Sequence, residues 1–363
     1  MAIYLTPGPA AAYPKLKDYL DDAWNEDVMS ISHRGAKFTD IYRRAEDGLR
    51  GLMDVPTDWR VVFVGSATEA MERLVQGLVT TRSHHFVNGA FSKKWHQIAG
   101  QLGKDAMATK VVDGSGFEEA MDDADLDGAE LICATVNETS TGVMWPEADL
   151  RRIGERKDGA LLALDIVSSA PVTTVPWDAS DAVFFSVQKA FGLPAGLGVM
   201  LLGPRALERA EAMEAAGHAT GSYHRLQALA AGAAKRQTPA TPNVLGIYLL
   251  ARVAEDMAQV GGGALRAQTA ARADRLYTAL EQHAHLEPFV ADTAWRSPTV
   301  VVAHAHGGSA AVRDHLRAGG FIAGSGYGVH KDLHVRLANF PATSAEEFEA
   351  AHAYLVQFDG PRV

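Results

Sequence analysis

Short, mainly apolar runs recur along the chain at 61–64, 85–88, 107–112, 131–136, 161–166, 183–189 and 199–202. Runs of this length, rich in Val, Ile, Leu and Phe, predict strands buried on both faces. Longer segments of helical character separate or follow them, over about 14–27, 66–79, 204–217, from 244 onward, and over about 265–285. Strand and helix taking turns in this way predict an α/β fold, a mostly parallel sheet covered by helices on both faces. From 288 the rhythm changes to a smaller α+β unit, with strands near 299–303, 321–323 and 334–338. Gly261, Gly262 and Gly263 suit a boundary between the two. The N-terminal Leu5-Thr6-Pro7-Gly8-Pro9 reads as a rigid extended turn, neither strand nor helix.

Parallel sheets bind ligands at the carboxyl ends of their strands, and here polar residues interrupt the apolar runs at those ends. The run 183–187 closes on Gln188-Lys189, ahead of a glycine-bearing turn. Such a lysine is either a solvated strand end or an amine whose charge is paired or used. In an apolar pocket it deprotonates more easily and can condense with a carbonyl as a Schiff base. Asp165 closes 160–164, a costly place for a carboxylate unless a cation or donor meets it. Val136 runs into the polar turn Asn137-Glu138-Thr139-Ser140-Thr141-Gly142. Strand 61–64 feeds Gly65-Ser66-Ala67-Thr68-Glu69, where Ser66 and Glu69 fit a capping box. The free N–H groups of that helix start serve either capping alone or an anion. Phe91 and Trp95 share one helix face, as core residues or as the cover of a flat ligand. His33-Arg34, in the polar loop 30–35, is either surface or an anion clamp.

Composition narrows the partners. The 363 residues give room for a large core and two domains, and 47% hydrophobic with 21% charged residues is ordinary for a globular protein. With 34 basic against 44 acidic residues the net charge is −10, which argues against nucleic acid. Cys133, the single cysteine, sits in an apolar run and is expected in the core. The N-terminus shows no signal-peptide pattern and no uncharged apolar run reaches spanning length, so a cytoplasmic enzyme without a membrane partner is expected. No Gly-x-Gly-x-x-Gly follows an early strand, which disfavours a dinucleotide-binding oxidoreductase. No metal site is expected.

An anion-binding helix start, an aromatic residue, a strand-end Asp and a strand-end Gln-Lys, in this order, resemble a fold-type I pyridoxal-phosphate enzyme. More narrowly, Ser32-His33-Arg34-Gly35, Asn137-Glu138-Thr139 with Gly142, Gln188-Lys189, Pro194-Ala195-Gly196-Leu197 and Arg336 within His334-Val335-Arg336-Leu337 match motifs of the class V aminotransferases. The likeness runs from Pro7-Gly8-Pro9 to the final helix and is strongest to members acting on phosphoserine. It implies a large cofactor-binding domain over 15–260 and a small domain over 261–363 together with 1–14.

Carried over residue by residue, the resemblance implies that Lys189 holds pyridoxal 5'-phosphate as a Schiff base and Asp165 pairs with the pyridine nitrogen. Phe91 would stack on the ring, with Trp95 as the fallback, and Val167 would press on the opposite face. Thr139 would bond the phenolic oxygen. Ala67, Thr68 and Gln188 would hold the phosphate, with Thr241 reaching it from the second subunit of a homodimer. Arg336 would take the substrate α-carboxylate, and His33 and Arg34 of the partner subunit the distal anion. The implied reaction is transamination of 3-phosphoserine with 2-oxoglutarate, in serine synthesis; the alternative is an alanine- or serine–glyoxylate type of the same class. The chain departs from the family where Gly65 to Thr68 carries no arginine, and where Ala240 replaces an asparagine before Thr241. Cysteine desulfurase chemistry is disfavoured, because Cys133 lies in a strand.

Overall fold

The computed structural model describes residues 2–360. A seven-stranded sheet forms its larger half, in the spatial order Arg60–Val64, Gly198–Leu202, Ala182–Ser186, Leu161–Asp165, Leu131–Thr135, Arg82–Val87 and Asp105–Lys110. Its pairs are parallel except that Gly198–Leu202 runs antiparallel to both neighbours. The three central strands Leu131–Thr135, Leu161–Asp165 and Ala182–Ser186 are buried throughout, which explains their unbroken apolar composition. Register pairs Thr135 with Asp165 and Asp165 with Phe184. The turns beginning at Val136, Ile166 and Val187 therefore emerge side by side at one end of the sheet.

The smaller sheet has the order Ile3–Leu5, Phe321–Ser325, His334–Ala338, Val300–Ala305 and Leu286–Pro288. Strand periodicity divides its two faces. Val301, Ala303 and Ala305 pack with Val335 and Leu337 against residues of the helices Gly262–Glu281, Ser309–Ala318 and Ala345–Leu355. Val300 and Val302 join Ala338, Phe340 and Ala190 on the opposite face. Gly142 lets that face approach the larger unit: at φ +76° a Cβ there would lie 2.8 Å from Val302 Cγ2.

Several expectations change. Residues 3–5 are a strand, parallel to Phe321–Ala323, so Leu5 belongs to a sheet and not to the turn that follows it. The helix after the triple glycine begins at Gly262, earlier than expected. Helix Ala36–Met53 fills a stretch to which no element was assigned, and packs Phe38, Ile41, Tyr42, Ala45 and Leu49 into the main core. Strand Ala182–Ser186 ends before Lys189, which lies in the turn beyond it. Among the described residues no helix is long and apolar enough to cross a membrane.

Candidate active site

The converging turns bring Lys189, Thr139, Asp165 and Ser168 into one buried group. Lys189 is 6% exposed. Its Nζ donates to Thr139 Oγ1 at 3.0 Å, and that hydroxyl donates to Ser168 Oγ at 2.8 Å. Asn137 Nδ2 donates to the same Ser168 Oγ at 2.8 Å and to Thr299 Oγ1 at 2.9 Å, tying the group to the smaller unit. Burial lowers the Lys189 amine to about 8, with Arg336 adding to the effect and Asp165 opposing it.

Asp165 is the last residue of its strand, and its Oδ1 accepts the Val167 N–H at 2.9 Å. Burial pushes its carboxyl up to about 7, against the pull of that N–H and of Lys189. A carboxylate and an amine, each driven toward its neutral form, thus share one dry site. That combination is characteristic of groups arranged for chemistry.

Glu138 is fully buried, and its carboxylate faces the start of helix Ala90–Gln101. It accepts from the N–H groups of Phe91 and Ser92, from Ser92 Oγ, and from Ser140 N and Oγ. A carboxylate at a helix N-terminus meets both free donors and the positive end of the dipole. It also fixes Phe91, whose ring centroid lies 5.2 Å from Lys189 Nζ and 5.4 Å from the Tyr327 ring. Trp95 is excluded from this role. It is buried, donates Nε1–H to the Met71 carbonyl, and packs edge-on against Phe184 with centroids 5.0 Å apart.

Arg336 enters from the smaller sheet. Its Nε donates to Ser325 O at 2.7 Å and its Nη1 to Thr139 O at 3.3 Å, while its guanidinium lies 5.5 Å from the Tyr327 ring. Among the described residues it has no carboxylate partner within salt-bridge distance, and burial lowers its pKa from the usual arginine value. Half-buried Val167 and Gln188 flank the same turns, the Gln188 carbonyl accepting from Ala10 N at 3.0 Å.

Ala67 and Thr68 open helix Ala67–Leu78, with Ser66 Oγ capping Glu69 N at 3.1 Å. Only half of the expected capping box forms. The Glu69 carboxylate accepts from Gly65 N at 2.7 Å instead of from Ser66 and also pairs with His224 Nδ1, and among the described residues the Ala67 and Thr68 N–H groups have no hydrogen-bond acceptor. Thr241 lies on a cleft of about 290 Å³ that Gly65, His224, Thr238 and Asn243 also line. Among the described residues, His33 and Arg34 make no hydrogen bond to the Lys189 group. Arg34 Nη1 donates to Gln237 Oε1 at 3.4 Å, and His33 Nε2 is buried without a hydrogen-bond partner. Within one chain, therefore, Lys189, Thr139, Asp165, Phe91, Val167 and Arg336 come together, while among the described residues His33 and Arg34 share no hydrogen bond with them and Thr241 lies in the cleft beside Gly65. Ser168, Glu138 and Tyr327 were not anticipated as site residues; for Glu138 the polar turn 137–142 was the available signal.

The class-V aminotransferase family profile matches residues 6–339. A phosphoserine aminotransferase of Nocardioides sp. is 31% identical over 327 residues, covering 89% of this chain and 86% of its own. The crystal structure of a phosphoserine aminotransferase from Cytophaga hutchinsonii superposes with a TM-score of 0.96 at 39% identity, over 99% of both chains. A phosphoserine aminotransferase from Trichomonas vaginalis solved with pyridoxal phosphate bound shares the fold, with a TM-score of 0.78 at 19% identity over 98% of this chain and 99% of that one.

The residues present suit that cofactor. Asp165 is a buried carboxylate whose ionised form lacks a strong cationic partner, as a protonated heterocycle would be. Lys189 is a buried amine close to its neutral form. The N–H groups of Ala67 and Thr68, unclaimed among the described residues, can serve an anion. By sequence, fold and site chemistry the chain belongs to the class-V aminotransferases and is a pyridoxal-phosphate-dependent transaminase.

Proposed function

We propose that the enzyme transfers the amino group between 3-phosphoserine and 2-oxoglutarate, yielding 3-phosphohydroxypyruvate and glutamate in a reversible step of serine synthesis. The observation that carries this reading is Arg336, a desolvated guanidinium without a carboxylate partner beside Lys189, in a chain similar to phosphoserine aminotransferases over nearly its whole length. Arg336 takes the α-carboxylate of the amino donor in a bidentate pair, its planar fork matching the two oxygens. His33 and Arg34 take the distal phosphate from the other protomer of a homodimer.

Asp165 holds the ring nitrogen, Thr139 the phenolic oxygen, and Phe91 and Val167 the two ring faces. Ala67, Thr68 and Gln188 hold the phosphate, with Thr241 of the second protomer. Pyridoxal phosphate supplies an electron sink and carries the amino group between donor and acceptor. Lys189 takes the proton from the substrate α-carbon as a general base, which its depressed pKa favours near neutral pH. The domain division at 15–260 and 261–363 with 1–14 puts Arg336 on the small domain and Lys189 on the large one.

The missing arginine at Gly65 to Thr68 favours a second reading, in which alanine or serine is the donor and glyoxylate the acceptor. Steady-state kcat/KM for phosphoserine, serine and alanine, each with 2-oxoglutarate and with glyoxylate, separates the two. Phosphoserine with 2-oxoglutarate should lead, and no preference for phosphoserine would reject the first reading.

A further inference from the structure

The active-site face of the smaller sheet continues past Arg336 into Glu287, His304 and His306, none of which belongs to the apolar core. Strand Leu286–Pro288 runs antiparallel to Val300–Ala305 and places Glu287 directly opposite His304. Side chains directly opposite one another project from the same sheet face. His306 lies two residues beyond His304 and hence on that face too; its N–H donates to the His285 carbonyl at 2.9 Å, extending the ladder by one residue. The result is two imidazoles in the spacing His-x-His, with a carboxylate across the strand pair.

The ligating atoms of Glu287, His304 and His306 all lie within 4.8 Å of one another, and His306 Nε2 is 3.9 Å from Glu287 Oε1. His304 is half-buried, and its ring stands 5.5 Å from that of buried His334 on the neighbouring strand. Glu287 and His306 are exposed and free to adjust their rotamers. Tetrahedral bonds of about 2.0–2.2 Å require ligand atoms roughly 3.3–3.6 Å apart, a contraction within reach of two exposed side chains.

We propose that Glu287, His304 and His306 form a binding site for a divalent transition-metal ion of the zinc type. Two imidazoles and one carboxylate suit Zn²⁺ and its neighbours better than Mg²⁺ or Ca²⁺, which prefer all-oxygen shells. Three protein ligands leave the fourth position to water or a small anion. The ion joins the edge strand Leu286–Pro288 to its neighbour, so its binding stabilises the fold by linkage. The site lies outside the residues assigned to amino transfer and does not depend on the choice of amino donor.

The test is calorimetric titration of the holoenzyme with Zn²⁺, with thermal unfolding alongside. Co²⁺ serves as the spectroscopic probe, because its visible d–d bands report tetrahedral coordination. The expected result is one saturable equivalent, a raised Tm, and intense Co²⁺ bands. Glu287→Gln should weaken binding by at least the roughly 10–100-fold typical of an outer-shell ligand partner. His304→Ala/His306→Ala should abolish it, while His283→Ala, outside the group, should leave it unchanged. His306→Ala alone, at an exposed position, gives the same answer if the double variant folds poorly. Absence of saturable binding in the parent, or equal stoichiometry and affinity in the double variant, would overturn the proposal, as would equal loss in His283→Ala.

Discussion

Gly8 lies directly against Lys189: a Cβ built on it would come within 3.0 Å of Lys189 Cε and 3.5 Å of Nζ. Its φ of +140° is also one that other residues rarely adopt. The N-terminal segment is thereby pinned over the lysine. Gly8→Ala is expected to cost about 1–3 kcal/mol through backbone strain alone. It should also lower kcat more than Ala10→Gly, a substitution beside it that crowds nothing. Comparing Tm and kcat for the two variants checks this.

Asp165 gives a pH dependence with a definite sign. Burial raises its carboxyl to about 7 from an ordinary value of 3.8. In the cofactor-free protein the folded state therefore binds more protons than the unfolded state between those values. Its contribution to stability is present at low pH and lost as pH rises through about 7. Cofactor-free Asp165→Asn should have the higher Tm of the two proteins at pH values above 7, and the lower affinity for pyridoxal phosphate. A lower Tm in Asp165→Asn under those conditions would show that the carboxylate is already satisfied.

Arg336→Lys keeps the charge and loses the fork. Removing one charge-assisted hydrogen bond is worth about 1.5–3 kcal/mol, so kcat/KM for the amino donor should fall roughly 10- to 100-fold. The cofactor spectrum should change little, since lysine keeps the positive charge that acts on Lys189.

If His33 and Arg34 serve the other protomer's site, two defective chains should complement each other. Mixed Arg34→Ala and Lys189→Ala protomers form some dimers with one intact site, restoring about a quarter of parental activity after random exchange of a symmetric pair. No recovery would place Arg34 in the site of its own chain.

Much of this site was legible because its residues end strands. Lys189 and Asp165 stood out as charged groups closing apolar runs, and the sheet's parallel order brings those ends together. The Phe91–Trp95 ambiguity was not resolvable from spacing. Which of the two turns inward depends on Phe184, Met71 and Glu138, all distant in sequence. Glu138 lay in a conspicuous motif, but the helix start that it caps is 46 residues away. Strand Ile3–Leu5 was hidden because it pairs with Phe321–Ala323, far away in sequence, and Pro-Gly-Pro follows it at once. Helix Ala36–Met53, by contrast, carries apolar positions 38, 41, 42, 45, 49 and 52 at helical spacing, so its pattern was present in the sequence.

Glu138→Ala would strand buried donors at the start of helix Ala90–Gln101 and release Phe91. Each unsatisfied group costs about 1–3 kcal/mol, so Tm should drop and the bound cofactor's visible absorption should shift. Glu138→Gln, which keeps the shape but turns an amide toward N–H donors, should recover only part of each. An unchanged absorption in Glu138→Ala would separate the cap from the site.

The most direct test of the account is where the cofactor is held. Borohydride reduction of the holoenzyme followed by peptide mass mapping should place the pyridoxyl group on Lys189, and Lys189→Ala should yield no labelled peptide. A label on any other lysine, or labelling that persists in Lys189→Ala, would contradict the site assigned here.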